Sequence, residues 1–216
     1  MIRVQEVVLA TRSAGKLREL RPIFAAVGVR VLDLAEVGVA EALTEDAIES
    51  FDTFEENALA KARYFFERCG GLDVVADDSG LVVDALGGQP GVRSKRWTET
   101  AGVTGHELDV ANNARLVAQL HGVDDRRARF VCAAAWRGTT GEAVVRGEVG
   151  GRIIDRPSGT HGFGYDSFFW ADELGMTLAD ATTQQKRDVS HRGRAFDALV
   201  DALRGRGVLP LRASAT

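Results

Sequence analysis

Short runs rich in valine and leucine alternate along this chain with segments whose apolar residues recur at helical spacing, and that alternation restricts the fold to the α/β class. Val4 to Ala10 reads as a buried strand. Ser13 then offers an N-cap, and Leu17, Leu20, Phe24 and Val27 form one helical stripe ending near Gly28. Val29 to Leu34 is a second strand. After the acidic stretch from Glu41 to Asp52, Thr53-Phe54-Glu55-Glu56 predicts a capping box. The helix behind it buries Phe54, Ala58, Ala62 and Phe65 and stops at Cys69-Gly70-Gly71. Val74 to Ala76 reads as a strand that ends at Asp77-Asp78-Ser79-Gly80, with Leu81 to Leu86 apolar again. His106 to Leu120 is an amphipathic helix, and Gly193 to Leu203 a last one with Ala195, Leu199 and Leu203 on one stripe. Between them, Arg129 to Trp136 and Glu142 to Val149 form a hairpin through Gly138-Thr139-Thr140-Gly141. A hairpin inside an α/β pattern argues for a mixed sheet with flanking helices. No repeat, low-complexity tract or Pro/Ser linker interrupts the pattern, so residues 1–216 are expected to form a single domain.

The charge balance narrows the partners. Twenty-seven basic residues face 31 acidic ones, for a net charge of −4, and no Lys/Arg block exists, which argues against a nucleic-acid partner. Cys69 and Cys132 belong to no C-x-x-C pair, so a thiolate zinc site is disfavoured and two thiols in a reducing compartment are expected. No apolar stretch reaches the ~18 residues of a membrane span, and the N-terminus has no signal-peptide character. The expectation is a cytoplasmic protein with no membrane partner.

Four segments carry candidate chemistry. At Ala10-Thr11-Arg12-Ser13-Ala14-Gly15-Lys16 a strand feeds a helix start. Backbone N–H groups, the Thr11 and Ser13 hydroxyls and the Lys16 ammonium could hold phosphate there; the plain alternative is a capped helix with a solvated lysine. Asp77-Asp78-Ser79-Gly80 follows an apolar strand. Adjacent strand residues point to opposite faces, so one carboxylate could hold a hard cation or activate water while the other braces the loop; the alternative is a simple turn. Glu49 is a further acidic candidate, since Glu56 is already engaged by the capping box. Gly162-Phe163-Gly164-Tyr165-Asp166 sets aromatics between glycines, either as a stacking platform for a nucleobase or as core residues in a tight loop. Lys186, Ser190, His191 and Arg192 precede the last helix, as anion and carbonyl readers or as a capping segment with a solvated basic face. Together these suit a nucleoside triphosphate with magnesium, whose cleavage needs positioning and charge neutralisation more than covalent chemistry.

The ordered set of motifs resembles the inosine/xanthosine triphosphate pyrophosphatase family from about Val7 to Leu203. The matching pieces are Ala10-Thr11…Lys16…Glu19; Thr53-Phe54-Glu55-Glu56-Asn57-Ala58…Lys61-Ala62; Ala76-Asp77-Asp78-Ser79-Gly80-Leu81…Asp84-Ala85-Leu86-Gly87-Gly88…Pro90-Gly91…Ser94…Arg96; Gly162-Phe163-Gly164-Tyr165-Asp166; and Ser190-His191-Arg192-Gly193…Ala195. Three positions depart from the family pattern: Ser13 stands where Asn is usual, Ser167 where Pro is usual, and Gln185 where an acidic residue is usual.

The resemblance implies an elongated mixed sheet with flanking helices, two lobes with the active site in the cleft between them, and a homodimer. It implies Mg²⁺-dependent hydrolysis of the α–β phosphoanhydride of ITP, dITP and XTP to the monophosphate and pyrophosphate. By motif, Thr11, Arg12, Ser13, Ala14, Gly15 and Lys16 would bind the triphosphate. Glu49 and Asp78 would hold magnesium, with Asp78 also the proton acceptor for the attacking water. Ser79 would touch substrate, and Phe163, Gly164, Tyr165, Asp166, Lys186, His191 and Arg192 would form the base and phosphate pocket. His191 and Arg192 are expected to donate to the 6-oxo group that distinguishes these purines from adenine. The alternatives are a pyrophosphatase acting on modified pyrimidine or other nucleotides, and a nucleotide-binding regulator without turnover.

Overall fold

In the computed structural model, which describes residues 5–42, 44–98 and 104–210, strands and helices alternate as the sequence predicts. The elements are β1 (Gln5–Leu9), α1 (Ala14–Ala25), β2 (Val29–Asp33), α2 (Phe54–Arg68), β3 (Val74–Val83), α3 (Gly105–Gln119), β4 (Arg127–Gly138), β5 (Gly141–Ile153), β6 (Phe169–Ala171), β7 (Met176–Thr177), α4 (Thr183–Val189) and α5 (His191–Gly205). Val4, assigned to the first strand from sequence, lies outside the described residues. The strands form one sheet in the order β2-β1-β3-β4-β5-β6-β7. β1 runs parallel to both β2 and β3, whereas β6 is antiparallel to β5 and β7, so the sheet is mixed. Among the described residues no helix is long and apolar enough to cross a membrane.

The chain divides into two compact units. The first is drawn from Met1–Asp78, Cys132–Gly147 and Arg192–Thr216, the second from Ser79–Val131 and Glu148–His191. In the first, Leu20, Ile23 and Phe24 of α1 and Phe196, Leu199 and Leu203 of α5 pack with Val7, Leu9 and Val75. The α1 stripe arises as its spacing predicts, with Leu17 and Val27 at its partly buried margins. Phe24 and Phe196 meet edge to face, ring centroids 5.9 Å apart. In the second, Leu81, Val83, Leu116, Leu120, Phe130 and Phe169 form a separate core.

The structure corrects several expectations. β3 does not stop at Asp77; it runs unbroken through Asp77-Asp78-Ser79-Gly80 to Val83. Aspartate and glycine disfavour strand interiors on their own, but here both carboxylates have side-chain partners, so the ladder can continue through them. β4 and β5 extend beyond the predicted hairpin, and β5 passes through Gly150 and Gly151. At Gly151 a side chain would collide with the Trp170 carbonyl and the Phe169 ring; the glycine is what lets β6 lie alongside. β6, β7 and α4 were not foreseen because two to seven residues carry no legible period. At α2, Thr53 accepts from the Glu56 N–H (3.2 Å) while its own hydroxyl donates to the Glu56 carboxylate (2.6 Å). A full reciprocal capping box occurs instead at α4, between Thr182 and Gln185. Both cysteines are buried and unbridged.

The Phe24–Phe196 contact joins the two helices that carry the first core. Truncating either ring to alanine is expected to cost about 3–5 kcal/mol, with a coupling of about 0.5–1.5 kcal/mol in the double-mutant cycle. Chemical denaturation of the four proteins measures both; simple additivity would show that the rings do not interact.

Candidate active site

The first unit assembles a buried cluster of charges around the middle of β3. β1 delivers the chain to α1 through a tight junction, in which the Thr11 Oγ1 accepts from Ser13 N–H at 3.1 Å and the Ser13 Oγ accepts from Lys16 N–H at 3.3 Å. Ser13 is therefore the N-cap of α1, as predicted, and Ala14 and Gly15 form its first turn. Lys16, one turn in, extends its Nζ to 2.9 Å from Asp77 Oδ2. The same oxygen lies 3.3 Å from Arg192 Nε at the start of α5, and the Arg192 guanidinium also pairs with Glu19 of α1. The Cys132 thiol faces Asp77 Oδ2 at 3.9 Å.

Asp78 belongs to the opposite face of the strand. Asn57 Nδ2 on α2 donates to its Oδ2 at 3.0 Å. Asn57 also exchanges hydrogen bonds with the Phe51 backbone (2.9 and 3.1 Å), fixing the segment that leads from Glu49 into α2. One turn further along α2, Lys61 pairs with Glu49 and donates to the Asp77 carbonyl at 2.7 Å.

Neighbouring aspartates thus ionise very differently. The Asp77 side chain is fully buried, which by itself would disfavour its charge, but Lys16, Arg192 and Lys61 outweigh that and hold it well below the usual carboxylate range. Burial and the charge of Glu49 push Asp78 up to about 6, against the opposing pull of Lys61, Lys16 and Asn57. Burial opposes the charges of Lys61 and Arg192, yet their carboxylate partners raise both above their ordinary values. Cys132 is pushed upward by burial and by Asp77, so it is a neutral thiol rather than a nucleophile.

The donor chemistry of Glu49 and Asp78 suits magnesium. Two hard carboxylates feel each other's charge, an arrangement that a divalent cation relieves. Among the described residues no group of three or more His, Cys, Asp or Glu forms a cation cage. Magnesium needs none, since it is commonly held by one or two carboxylates with substrate phosphates and waters completing its shell.

The second unit holds the aromatic loop. Phe163 is partly exposed, with the Lys186 ammonium 5.3 Å from its ring centroid. Lys186 Nζ lies 2.7 Å from Asp166 Oδ2, which also accepts from Phe163 N–H at 2.9 Å. That carboxylate occupies the space a side chain at Gly162 would need, and Gly162 adopts φ +80°, so glycine is required there twice over. Tyr165 is a core residue whose hydroxyl donates to the Ser94 carbonyl at 2.9 Å. His191 is buried and stacked on Phe130 at 4.7 Å. Ser79 lies within β3 and is half-buried.

Two of the expected residues, Arg12 and Arg192, each pair with anions of the first unit. Arg12 is drawn to the 39–45 segment, where it pairs with Glu45 at 2.7 Å and donates to the Val39 and Ala40 carbonyls, both at 3.0 Å. Arg192 pairs with Asp77 and Glu19 within the first unit. Sequence reasoning omitted Glu19, Asn57 and Lys61 from the site. The signal was present: Asn57 and Lys61 are one helical turn apart on α2, as are Lys16 and Glu19 on α1.

The model of the Ham1 family matches residues 7–202, and the chain belongs to that family. It is 44% identical over 207 residues to the dITP/XTP pyrophosphatase of Bordetella parapertussis, covering 94% of this chain and 93% of that protein. It is 49% identical over 201 residues to the dITP/XTP pyrophosphatase of Frankia alni, covering 92% and 96%. Among solved structures, the Staphylococcus aureus Ham1 protein superimposes with a TM-score of 0.78 at 34% identity, over 94% of this chain and 100% of that one.

The contrast between the aspartates predicts opposite stability effects. Asp78 titrates near 6 when folded against about 3.8 when unfolded, so the native state binds the extra proton and stability falls as pH rises from about 4 to 6. With a chelator present, Asp78→Asn should flatten that limb and stabilise the protein by about 1–3 kcal/mol at pH 7. Asp77→Asn leaves Lys16 and Arg192 without their shared anion and should cost about 3–5 kcal/mol. Thermal melts across pH test both; equal effects would show that the two carboxylates share one environment.

Proposed function

We propose that this chain, acting as one catalytic domain over residues 1–216, is a Mg²⁺-dependent nucleoside triphosphate pyrophosphatase. It hydrolyses the non-standard purine nucleotides ITP, dITP and XTP to the monophosphate and pyrophosphate, removing them from the nucleotide pool. The observation that carries this reading is the split between Asp77 and Asp78. One strand offers an anion locked in its charged form by Lys16 and Arg192, and beside it a carboxylate whose affinity for protons is raised. The names of relatives 44–49% identical over more than nine-tenths of the chain support the same substrate class.

On this reading the segment from Thr11 to Lys16, which leads from β1 into the first turn of α1, binds the triphosphate, with Lys16 as its main cation. Lys16 is bound to Asp77 before substrate arrives, so its ammonium is already aimed and costs little reorganisation. Glu49 and Asp78 would hold magnesium, which when bound would neutralise phosphate charge and make a water easier to deprotonate. Asp78 accepts the proton of the water that attacks the α-phosphorus. The α–β bridging oxygen leaves with pyrophosphate, and the negative charge that gathers there is met by Lys16. Asn57 orients Asp78, and Lys61 pairs with Glu49. Phe163 stacks on the base, while His191 and Arg192 provide donors that suit a 6-oxo purine and oppose the 6-amino group of adenine. The pairing of Arg192 with Asp77 and Glu19 holds its guanidinium in place. The resemblance extends the proposal to a homodimer working in the cytoplasm.

Pyrophosphate release from ITP, dITP, XTP, GTP and ATP with magnesium tests the function. Activity on the first three well above ATP is expected, and a reversible loss with chelator. Turnover of ATP equal to ITP would overturn the substrate assignment. Asp78→Asn should lower kcat at least about 10²-fold, the scale of a lost general base. Lys16→Ala should raise KM and lower kcat together, because the charge it offsets grows toward the transition state. Phe163→Ala should weaken ITP and ATP alike by about 1–3 kcal/mol, since stacking is indifferent to the 6-substituent. A change in the ITP/ATP ratio in that variant would instead make Phe163 a selectivity residue.

A further inference from the structure

The loop that carries Phe163 is held from a direction the motif does not contain. Gly164 has a left-handed backbone (φ +62°), and a glycine there leaves the peptides on either side free to rotate unless something fixes them. Both of its backbone groups are taken by α3. Its N–H donates to Asp109 Oδ2 at 3.0 Å, and its carbonyl accepts from Asn113 Nδ2 at 2.9 Å. Asp109 and Asn113 are one helical turn apart, and Asn113 Nδ2 also donates to the Asp109 carbonyl at 2.9 Å, which ties the pair into one unit. Asn113 is 8% exposed, and its Oδ1 is buried with no hydrogen-bond partner among the described residues. The amide N–H groups are therefore what this asparagine contributes. The neighbouring Asn112 grips the Ser94 and Lys95 carbonyls, and the Tyr165 hydroxyl donates to the same Ser94 carbonyl. Tyr165 is thus pulled inward while Phe163 is left as the exposed ring of the loop.

We propose that Asp109 and Asn113 are positioning residues for base binding: by clamping both backbone groups of Gly164 they hold the Phe163 ring in the orientation that stacks on a purine. The inference rests on the reading of this chain as a purine nucleoside triphosphate pyrophosphatase. Preorganising the ring lowers the ordering cost of binding and leaves the phosphate chemistry untouched, so the signature is in KM.

The test is steady-state pyrophosphate release from ITP with magnesium, together with hydrogen exchange of the 162–166 segment. Asn113→Asp keeps the shape but loses both N–H donors. It and Asp109→Ala should raise KM about tenfold, the scale of one lost charge-assisted hydrogen bond, with kcat changed less than about twofold, and should speed exchange in the loop. Asp109→Asn keeps an acceptor for the Gly164 N–H and should restore most of the wild-type KM. If Asp109→Ala does not fold, the isosteric Asn113→Asp carries the test. Variants that retain wild-type KM while the wild type is active would overturn this inference alone, as would Asp109→Asn as impaired as Asp109→Ala, or kcat falling with KM unchanged. A wild-type protein that releases no pyrophosphate from any purine nucleotide would overturn the proposed function, and this inference with it.

Discussion

Asp77 is a carboxylate with no exposed side-chain surface in the middle of a strand, and it is tolerable there only because Lys16 and Arg192 reach the same oxygen from two different helices. The dependence runs in both directions. Arg192 is itself buried, and Asp77 and Glu19 compensate its charge. Lys16 would lose the anchor that aims it along the first turn of α1. One ion cluster therefore fixes how α1 and α5 meet β3, and the apolar packing of Phe24, Phe196 and Val75 completes the same junction.

The alternating pattern of the fold was legible because its long elements have long periods. The α1 stripe of Leu20 and Phe24 and the caps at Ser13 and Thr53 are local signals, and they reappear in place. What escaped was decided by contacts distant in sequence. Asp77-Asp78-Ser79-Gly80 looks like a turn until Lys16, Asn57 and Arg192 are brought to it from 21 to 115 residues away. The need for glycine at position 151 shows only once Trp170 and Phe169 arrive beside it. The site followed the same division. Lys16, Asp78 and Phe163 stood out by motif, whereas Asn57 and Lys61 act only through the carboxylates they touch. Arg12 and Arg192 each lie within a matching segment, but the anions that anchor them, Glu45 for one and Asp77 with Glu19 for the other, come from elsewhere in the chain and no motif names them.

Two kinds of electrostatic work are separated across a single peptide bond. The Asp77 side satisfies its charges internally and contributes rigidity. The Asp78 side leaves two carboxylates in mutual repulsion, a local instability that a cation and a phosphate chain would relieve. Strain of this kind is what a binding site retains when selection acts on turnover as well as on folding. The second unit shows a parallel economy. Asp166 serves Phe163 and Lys186 with one oxygen, and that oxygen is also what excludes any residue but glycine at position 162.

The unbroken course of β3 has a consequence for how genes encoding this chain can drift in length. Side chains alternate along a strand, so the assignment of one aspartate to each face depends on the parity of the residue count from the strand start. Gain or loss of a single codon between Val74 and Asp77 would turn each carboxylate toward the other's partners, Lys16 and Arg192 on one face and Asn57 on the other. The strand therefore tolerates a change of length only outside Val74–Val83, whereas a substitution within it leaves the parity of both aspartates intact.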